Sequence, residues 1–376
     1  GVNVKTSDCY PWARDAYFIQ KDAKGGLAFL DTGFNFKPFP ITDFNKIFKH
    51  AVVRAGIFHR GGGNVRTTDE EIFIGIDTIL GKDMTPRWSP HGHIQETLYS
   101  VAEQYLAGDA SDLKKIFNAY ANFLHHNLAP DRRLIIPGKD LFFNNLEMGD
   151  FVFTKKTVHD TGAQTAYHTD VYMSLGHVNS DGKRTLFIAD SGLGAQVLSR
   201  VSSVRRREIE DLLPTLLERE GFTAAGILVS SRQIARRFQW RKHKLLDLAM
   251  EKAKESEHVL NDAAVDLQNQ GFHIIRIPYL PNGLNNDDDK NDQVMGVCFN
   301  YSNVLTEVYD NVKRVYIPRY GFKELDEAAS AAYERAGYKV EFIQGLLTNA
   351  LTSRRDGKGL DCLTSEIRFP VQWSGK

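Results

Sequence analysis

Alternating apolar and polar residues mark a strand–turn–strand plan that is clearest just after residue 303. VLTEVY is rich in β-branched and aromatic residues, Asp310 and Asn311 supply a turn, and VKRVYIP returns as a second strand. In the following KELDEAASAAYERAG, apolar residues recur at three- and four-residue steps, which predicts an amphipathic helix. Gly337 stands where the end of that helix needs a positive φ, and KVEFIQG has the composition of a further strand.

The same plan fits four other segments of the chain. Asp15 precedes AYFIQ, Asn64 precedes VRTT and EIFIGI, Asp170 precedes VYMSLG and RTLFIADSG, and Cys362 precedes LTSEIRFP. Together with Asn303, these residues would head the first strands of five repeated units. Such repetition favours units stacked around an axis over two unrelated domains, and it would bring the five heads together. Because strand–turn–strand–helix is a common arrangement, coincidence is the alternative interpretation.

Between residues 188 and 273 the chain departs from this plan and becomes helical. An apolar stripe from Leu245 to Leu267, ending before Gly271, predicts a long amphipathic helix. The preceding SVRRREIEDLLPTLLERE predicts a helix that is interrupted at Pro214. We therefore expect a helical insertion over residues 200–270 within a single catalytic domain that spans residues 1–376.

Composition and charge exclude several classes of partner. The 376 residues are 42% hydrophobic and 25% charged, which is typical of a globular chain. With 47 basic and 47 acidic side chains, no whole-molecule field attracts nucleic acid or an anionic membrane, so we expect neither as a partner. Three cysteines cannot form a disulfide scaffold, which favours a reducing, cytoplasmic location. The oligomeric state stays open.

Cysteine, histidine and aspartate stand at or beside several of the predicted heads. Cys362 follows two glycines in GKGLDCLTSE, which would let a ligand approach its thiol closely. If His168 and Asp170 begin a strand, alternation places a general acid/base and a carboxylate on one face. Asp15 ends the run YPWARD, in which Trp12 could form the wall of a pocket. Two carboxylates and a thiol suit a cation, and a guanidinium pairs with carboxylates through its planar N–H groups.

Each of these residue types also has an ordinary structural interpretation. Cysteines are often buried and inert, and we expect this of Cys9 and Cys298. A surface histidine would explain the His-X-Asp tripeptide equally well. His125 and His126 lack the cysteine or carboxylate companions of a zinc site, so we expect them to be ordinary helix or loop residues.

Six motifs follow one another along the chain: WARD (12–15), DTGFNF (31–36), GGGN (61–64), HTD (168–170), YSNVL (301–305) and GKGLDCLT (357–364). In this order they resemble the agmatine deiminase and bacterial peptidylarginine deiminase family, which are guanidino-group-modifying enzymes of the pentein fold. The resemblance extends over nearly the whole chain. It implies an α/β propeller of five pseudo-symmetric ββαβ units around a central active site.

The resemblance also implies roles for individual residues. Cys362 would be the nucleophile, His168 the general acid/base, and Asp15 and Asp170 the carboxylates that hold the guanidinium nitrogens. The residues implied to contact the substrate are Trp12, Asn64 and Asn303. The reaction would hydrolyse a guanidinium to a urea and ammonia through a covalent thiouronium on the cysteine, with neither metal nor organic cofactor.

Two departures from the family pattern accompany the resemblance. Relatives often have an acidic residue where this chain has Arg60 and Gly61, so the orientation of the histidine and the substrate preference would differ. Relatives also have a further strand–helix–strand segment before the Trp-X-Arg-Asp motif, where eleven residues stand here. The ring would then be completed differently, or the natural chain would begin earlier.

The sequence leaves the substrate and two other functions open. The substrate would be a small guanidino compound such as agmatine or arginine, or an arginine-containing peptide or protein. An amidinotransferase would use the same cysteine and pass the amidino group to an amine. A catalytically silent pentein-like protein would bind a partner, but it would be expected to have lost part of the Cys, His and Asp set, and all four residues are present.

Overall fold

The computed structural model describes residues 17–21, 27–31, 52–55, 65–80, 110–141, 143, 169–220, 223–224, 227–228, 230–237, 244–281 and 298–344. These residues form a mixed α/β architecture of several small sheets, and none of the described sheets closes on itself. The chain divides into a first part, Gly1–Gln164 with Cys362–Lys376, and a second part, Thr165–Asp361. The predicted single domain with an insertion over residues 200–270 stays a prediction.

The first part contains two three-stranded sheets of the same topology. Strands β1 (Tyr17–Lys21) and β2 (Leu27–Asp31) are antiparallel, and β3 (Val52–Ala55) pairs in parallel with β2. The second sheet repeats this order with β4 (Val65–Thr67), β5 (Glu71–Ile74) and β6 (Arg133–Ile135). Helices α1 (Ile76–Leu80) and α2 (Ala110–Leu128) lie between β5 and β6 along the chain.

The second part repeats the topology twice more. After the short helix α3 (Thr169–Tyr172), strands β7 (Met173–Val178) and β8 (Arg184–Asp190) are antiparallel, and β11 (His273–Leu280) pairs in parallel with β8. Strand β12 (Phe299–Asn300) extends this sheet beside β11. The last sheet has β13 (Leu305–Tyr309) antiparallel to β14 (Val312–Pro318), with β15 (Lys339–Ile343) parallel to β14.

An antiparallel pair followed by a parallel third strand therefore occurs four times within the described residues. A parallel return needs a crossover connection, and helices supply it wherever that connection is described. The repeat predicted from the sequence is confirmed for these four copies. The fifth copy, around Cys362, lies outside the described residues, so a closed fivefold propeller stays a prediction.

The final copy follows the predicted turn and helix closely. Asp310 and Asn311 both have positive φ, 50° and 60°, as a two-residue hairpin turn of type I′ requires. Helix α8 (Lys323–Arg335) begins after the hairpin, and Gly337 has the predicted positive φ of 79° just beyond its end. These three predictions are confirmed.

A helical segment connects β8 to β11 in the second part. It consists of α4 (Ser191–Ser199), α5 (Ser203–Arg219), β9 (Thr223–Ala224), β10 (Ile227–Leu228), α6 (Ser231–Arg237) and α7 (Leu245–Asn269). Two carboxylates of α5 each accept a hydrogen bond from a backbone N–H group at the start of one of the next two helices. Glu218 accepts from Ser231 N (2.9 Å), and Glu210 accepts from Leu246 N (2.7 Å). No described helix is long and apolar enough to span a lipid bilayer.

Proline 214 does not interrupt helix α5, so that prediction was wrong. The helix continues through Pro214 to Arg219, and Pro214 is buried together with Ile209, Leu213 and Leu217. Burial of this apolar face offsets the backbone hydrogen bond that a proline removes from a helix. The predicted long helix is confirmed as α7, and Gly271 follows it with a φ of 97°.

The core of the second part lies where α4 and α7 pack on the central strands. Residues 186–189 of β8 are fully buried, as expected of a strand that is covered on both faces. Helix α4 contacts both α7 and β11. The contact with β11 depends on Gly194, because a Cβ at this position would collide with the backbone carbonyl of Tyr279. The glycine therefore sets how closely the helix approaches the sheet.

Gly194→Ala should lower the free energy of unfolding by about 2 kcal/mol, because a strand carbonyl cannot move aside without shifting β11. Gly192→Ala on the same helix is the matched control, since its new Cβ would meet only the flexible side chain of Glu257. We expect the control to change stability by less than about 1 kcal/mol. Urea unfolding followed by circular dichroism measures both, and equal losses would contradict the close-packing argument.

Candidate functional site

Two of the seven predicted site residues, Asp170 and Asn303, lie within the described residues. The other five lie outside them: Trp12, Asp15, Asn64, His168 and Cys362. The predicted meeting of thiol, imidazole and carboxylates therefore stays a prediction. The site can be built up from the two residues that are described, both of which belong to the second part.

Asp170 lies in the single helical turn α3, three residues before strand β7. All four residues of this turn are buried, and Asp170 itself has 0% exposure. Asp170 therefore does not begin a strand as predicted, while His168 lies outside the described residues, so the prediction that the two side chains share one face stays a prediction.

Asn303 lies in an irregular segment between β12 and β13, residues 301–304, which we call the head loop. Every residue of the head loop is buried, and Asn303 has 0% exposure. Loops usually run over the surface because their backbone polar groups need water. A buried loop must find protein partners for its N–H and carbonyl groups instead.

Side-chain hydroxyl groups satisfy the carbonyls of three consecutive residues, 300–302. The donors are Tyr320 to Asn300 O (3.0 Å), Tyr333 to Tyr301 O (2.8 Å) and Ser174 to Ser302 O. Two of these donors come from the last repeated unit and one from β7. The loop is thus held from two units at once.

Side-chain oxygens also accept from the N–H groups of residues 302–304 of the head loop. Asn300 Oδ1 accepts from Ser302 N (2.9 Å) and from Asn303 N (3.2 Å). Val304 N donates to Ser174 Oγ at 3.3 Å. The side chain of Asn300 therefore forms a local turn that fixes the backbone of Asn303.

The same side chains reach the turn that contains Asp170. Asn300 Nδ2 donates to Val171 O at 2.6 Å, and the Ser302 hydroxyl lies 3.0 Å from the same oxygen. We call Val171, Ser174, Asn300, Ser302 and Asn303 the head network. It joins the start of the unit headed by Asp170 to the start of the unit headed by Asn303. Asn303 and Val171, the residue after Asp170, are therefore parts of one hydrogen-bonded junction.

A buried carboxylate, Asp326 of α8, holds the other end of the head loop. Its oxygens accept from the Tyr301 hydroxyl (2.8 Å), Tyr320 N (3.1 Å) and Gly321 N (3.1 Å). Burial raises the pKa of Asp326, while these hydrogen bonds act in the opposite direction. Burial, with the nearby Asp326 carboxylate, raises the pKa of Tyr301 well above its ordinary value, so the phenol keeps its proton at neutral pH and donates it.

The sequence predicts no catalytic or metal-binding role for Cys298, His125 and His126, and all three occupy structural positions. Cys298 is buried, with its Sγ 3.7 Å from the Tyr279 hydroxyl oxygen, and this agrees with an inert core cysteine. His125 and His126 lie in the last turn of α2, as expected. Within the described ranges, no three His, Cys, Asp or Glu side chains cluster so that they could hold a metal ion.

Sequence reasoning missed Asn300, Ser302 and Ser174. A signal was present in the string NYSN (300–303), where small polar residues interrupt two apolar runs. Asn and Ser readily bond to nearby backbone groups, which suggests a turn. The sequence does not show that this turn is buried, nor that it contacts Val171.

Asp326→Asn should lower the free energy of unfolding by about 2 kcal/mol at neutral pH, because the new NH₂ group would face a backbone N–H donor. The sign of the pH effect follows from the raised pKa of Asp326. This carboxyl stabilises the fold below its unfolded-state titration range, and that contribution is lost as the pH rises through its pKa in the folded state. The difference in the free energy of unfolding between the wild type and Asp326→Asn should therefore decrease as the pH rises.

Chemical unfolding across the acid range measures this difference for Asp326→Asn. Asp262→Asn, on the exposed side of α7, is the control, and its difference from the wild type should stay small and constant with pH. If the difference in the free energy of unfolding between the wild type and Asp326→Asn increased with pH, it would contradict the raised pKa of Asp326.

Comparison with known proteins adds little to this geometry. No family model matches the chain, and no curated protein matches it. Among 61 matching chains of solved structures, one is described as "Crystal structure of a putative peptidyl-arginine deiminase". It aligns over 96% of this chain and 75% of its own, with 12% sequence identity and a TM-score of 0.42. A likeness this distant does not assign the chain to a family or an activity.

Proposed function

We propose that the protein hydrolyses the guanidinium group of an arginine-like substrate to a urea and ammonia. The observation that carries the proposal is the complete burial of Asp170 and Asn303 at the junction of two repeated units. The family resemblance of the sequence implies that both residues contact the substrate. Aspartates are almost never fully buried unless they are paired, so Asp170 is a candidate to pair with a cationic ligand.

The repeat supports the same proposal. The selected residues precede the first strands of their units, which start at Tyr17, Val65, Met173 and Leu305. The corresponding heads are Asp15, Asn64, Asp170 and Asn303. A polar side chain therefore recurs one to three residues before the first strand of each of these units, and such recurrence favours a shared site.

In the proposed first step the thiolate of Cys362 attacks the central guanidinium carbon and forms a C–S bond. Asp15 and Asp170 hold the guanidinium nitrogens, which fixes the carbon in line with the sulfur. His168 donates a proton to the departing nitrogen as the C–N bond breaks, and ammonia leaves. The product of this step is a covalent thiouronium.

In the second step a water molecule attacks the same carbon. His168, which gave up its proton in the first step, takes one from this water. The C–S bond breaks, the electron pair returns to sulfur, the remaining hydroxyl proton passes to solvent, where it converts ammonia to ammonium, and the urea product leaves. The enzyme then has its original proton on histidine and its thiolate on Cys362, so atoms and charges balance over the cycle.

Cys362→Ala should abolish urea formation from agmatine, free arginine and an arginine peptide, because no other group in the scheme can form the thiouronium. Cys298→Ala is the matched control, since this cysteine lies in the core beside Tyr279. The control should retain wild-type kinetics with a slightly lower melting temperature. The measurement is a colorimetric urea and citrulline assay together with ammonia release.

Each outcome of the cysteine experiment has a definite meaning. Unchanged urea formation by Cys362→Ala would refute the mechanism. Activity that requires Cys362 but releases ammonia slowly, and rises when an acceptor amine is added, would favour amidino transfer over hydrolysis. A wild-type protein that acts on none of the three substrates would refute the proposal for this substrate class.

Asp170→Asn should lower kcat/KM on the order of 100-fold, because it removes one negative charge from the proposed guanidinium contacts without changing the size of the side chain. Asp181→Asn, in the exposed turn between β7 and β8, is the control and should leave kcat/KM unchanged. Steady-state kinetics with the preferred substrate measures both. Equal kinetics in the two variants would remove Asp170 from the site.

A further inference from the structure

One side chain of the head network contacts both sides of the junction. Asn300 Nδ2 donates to Val171 O (2.6 Å), next to Asp170 in the chain. Its Oδ1 accepts from the backbone N–H of Asn303 (3.2 Å) and of Ser302 (2.9 Å). A single planar amide therefore lies between the carbonyl of Val171 and the backbone N–H of Asn303.

The chemistry of this position suits an amide specifically. It needs a donor toward a carbonyl and an acceptor toward two N–H groups, which an amide offers on separate nitrogen and oxygen atoms, whereas an ionised carboxylate has no donor. Asn300 has 0% exposure, so water cannot replace a contact that is lost. Because the amide is planar, moving one of its two contacts moves the other.

The neighbouring bridges are less complete. The Ser302 hydroxyl lies 3.0 Å from Val171 O and 2.8 Å from Asn300 Oδ1, but it has one proton and can donate to only one of them. Thr306 donates to Leu175 O (2.8 Å), which is further along β7 and away from Asp170. Asn300 has a side-chain bond both to the turn of Asp170 and to the backbone of Asn303.

We infer that Asn300 is a positioning residue that sets the spacing of Asp170 and Asn303 in the substrate-binding site. The inference rests on the proposed function, since it assigns a kinetic role within that site. Asp170 and Asn303 belong to different repeated units, so no local turn or strand fixes their separation. The amide of Asn300 supplies a direct constraint between the two segments, because it bonds to Val171 O and to Asn303 N.

Loss of the Asn300 side-chain amide should mainly weaken substrate binding. Asn300→Ala removes the side-chain bonds to Val171 O and to the two N–H groups, which lets the turn and the head loop shift relative to each other. Misplacement of binding groups by about 1 Å can cost up to about 100-fold, so we expect KM to rise about tenfold or more. A role in folding alone would lower the amount of active enzyme, so apparent kcat would fall while KM stayed the same.

A double-mutant cycle separates positioning from general destabilisation. If Asn300 acts through Asp170, Asn300→Ala should change kcat/KM by less than about threefold in the Asp170→Asn background. If it acts independently, the two losses in kcat/KM should multiply. Melting temperatures of all four proteins give the stability effect for comparison.

Two further variants keep the experiment decisive. Asn179→Ala is the matched control, because Asn179 Oδ1 caps the exposed turn at the other end of β7 by accepting from Asp181 N (3.0 Å) and Lys183 N (2.9 Å). It should retain wild-type KM. Should Asn300→Ala fail to fold, Ser302→Ala is the milder test, since it removes one hydroxyl of the same junction and should raise KM about threefold.

The outcomes of the inference and of the proposed function can be distinguished. Urea formation by the wild type that depends on Cys362, with an unchanged KM in Asn300→Ala or in its substitute Ser302→Ala, overturns the inference alone. Fully multiplicative losses in the double-mutant cycle overturn it as well. A wild type without Cys362-dependent activity on any guanidino substrate overturns the proposed function, and the inference with it.

Discussion

A buried loop persists only if its backbone polar groups find partners inside the protein, and this constraint organises the junction between the last two repeated units. Three hydroxyl groups bond to the carbonyls of residues 300–302. One amide and one serine bond to the N–H groups of residues 302–304. Each unmade bond would cost the desolvation of a buried group, so the set is retained as a whole. The head loop takes hydrogen-bond partners from distant parts of the chain, among them Ser174, Asp326 and Tyr333.

The junction also explains how such small sheets can be stable. A three-stranded sheet buries little apolar surface by itself and needs packing against a neighbour. Phe187 of β8 packs against Tyr333 and Tyr338 of the next unit, with ring centroids 4.5 Å and 5.2 Å apart. Apolar contacts thus hold the units together, while the head network fixes their register. A hydrophobic contact alone would tolerate sliding, but hydrogen bonds of defined direction do not.

A junction of this kind is a suitable place for a binding site. Residues from two units approach each other there, and the polar groups are already held in fixed directions by buried partners. Preorganised polar groups stabilise a charged ligand without first having to reorient. Asp170 and Asn303 occupy this place, and the proposed hydrolysis of a guanidinium uses it to hold a flat cation. In this proposal the fold provides position, while the chemistry would come from side chains at the heads of the units.

The sequence by itself determined the features that depend on near neighbours in the chain. It predicted the Asp310–Asn311 turn, the helices that end before Gly271 and Gly337, and the recurrence of one supersecondary plan, because turn geometry and amphipathic periodicity are local. Tertiary structure decided the rest. It carried helix α5 through Pro214 by burying that face, placed Asp170 in a helical turn, and gave Asn300 its partner Val171. These outcomes depend on which distant segments come into contact, and no local pattern in the chain encodes a hydrogen bond across two units.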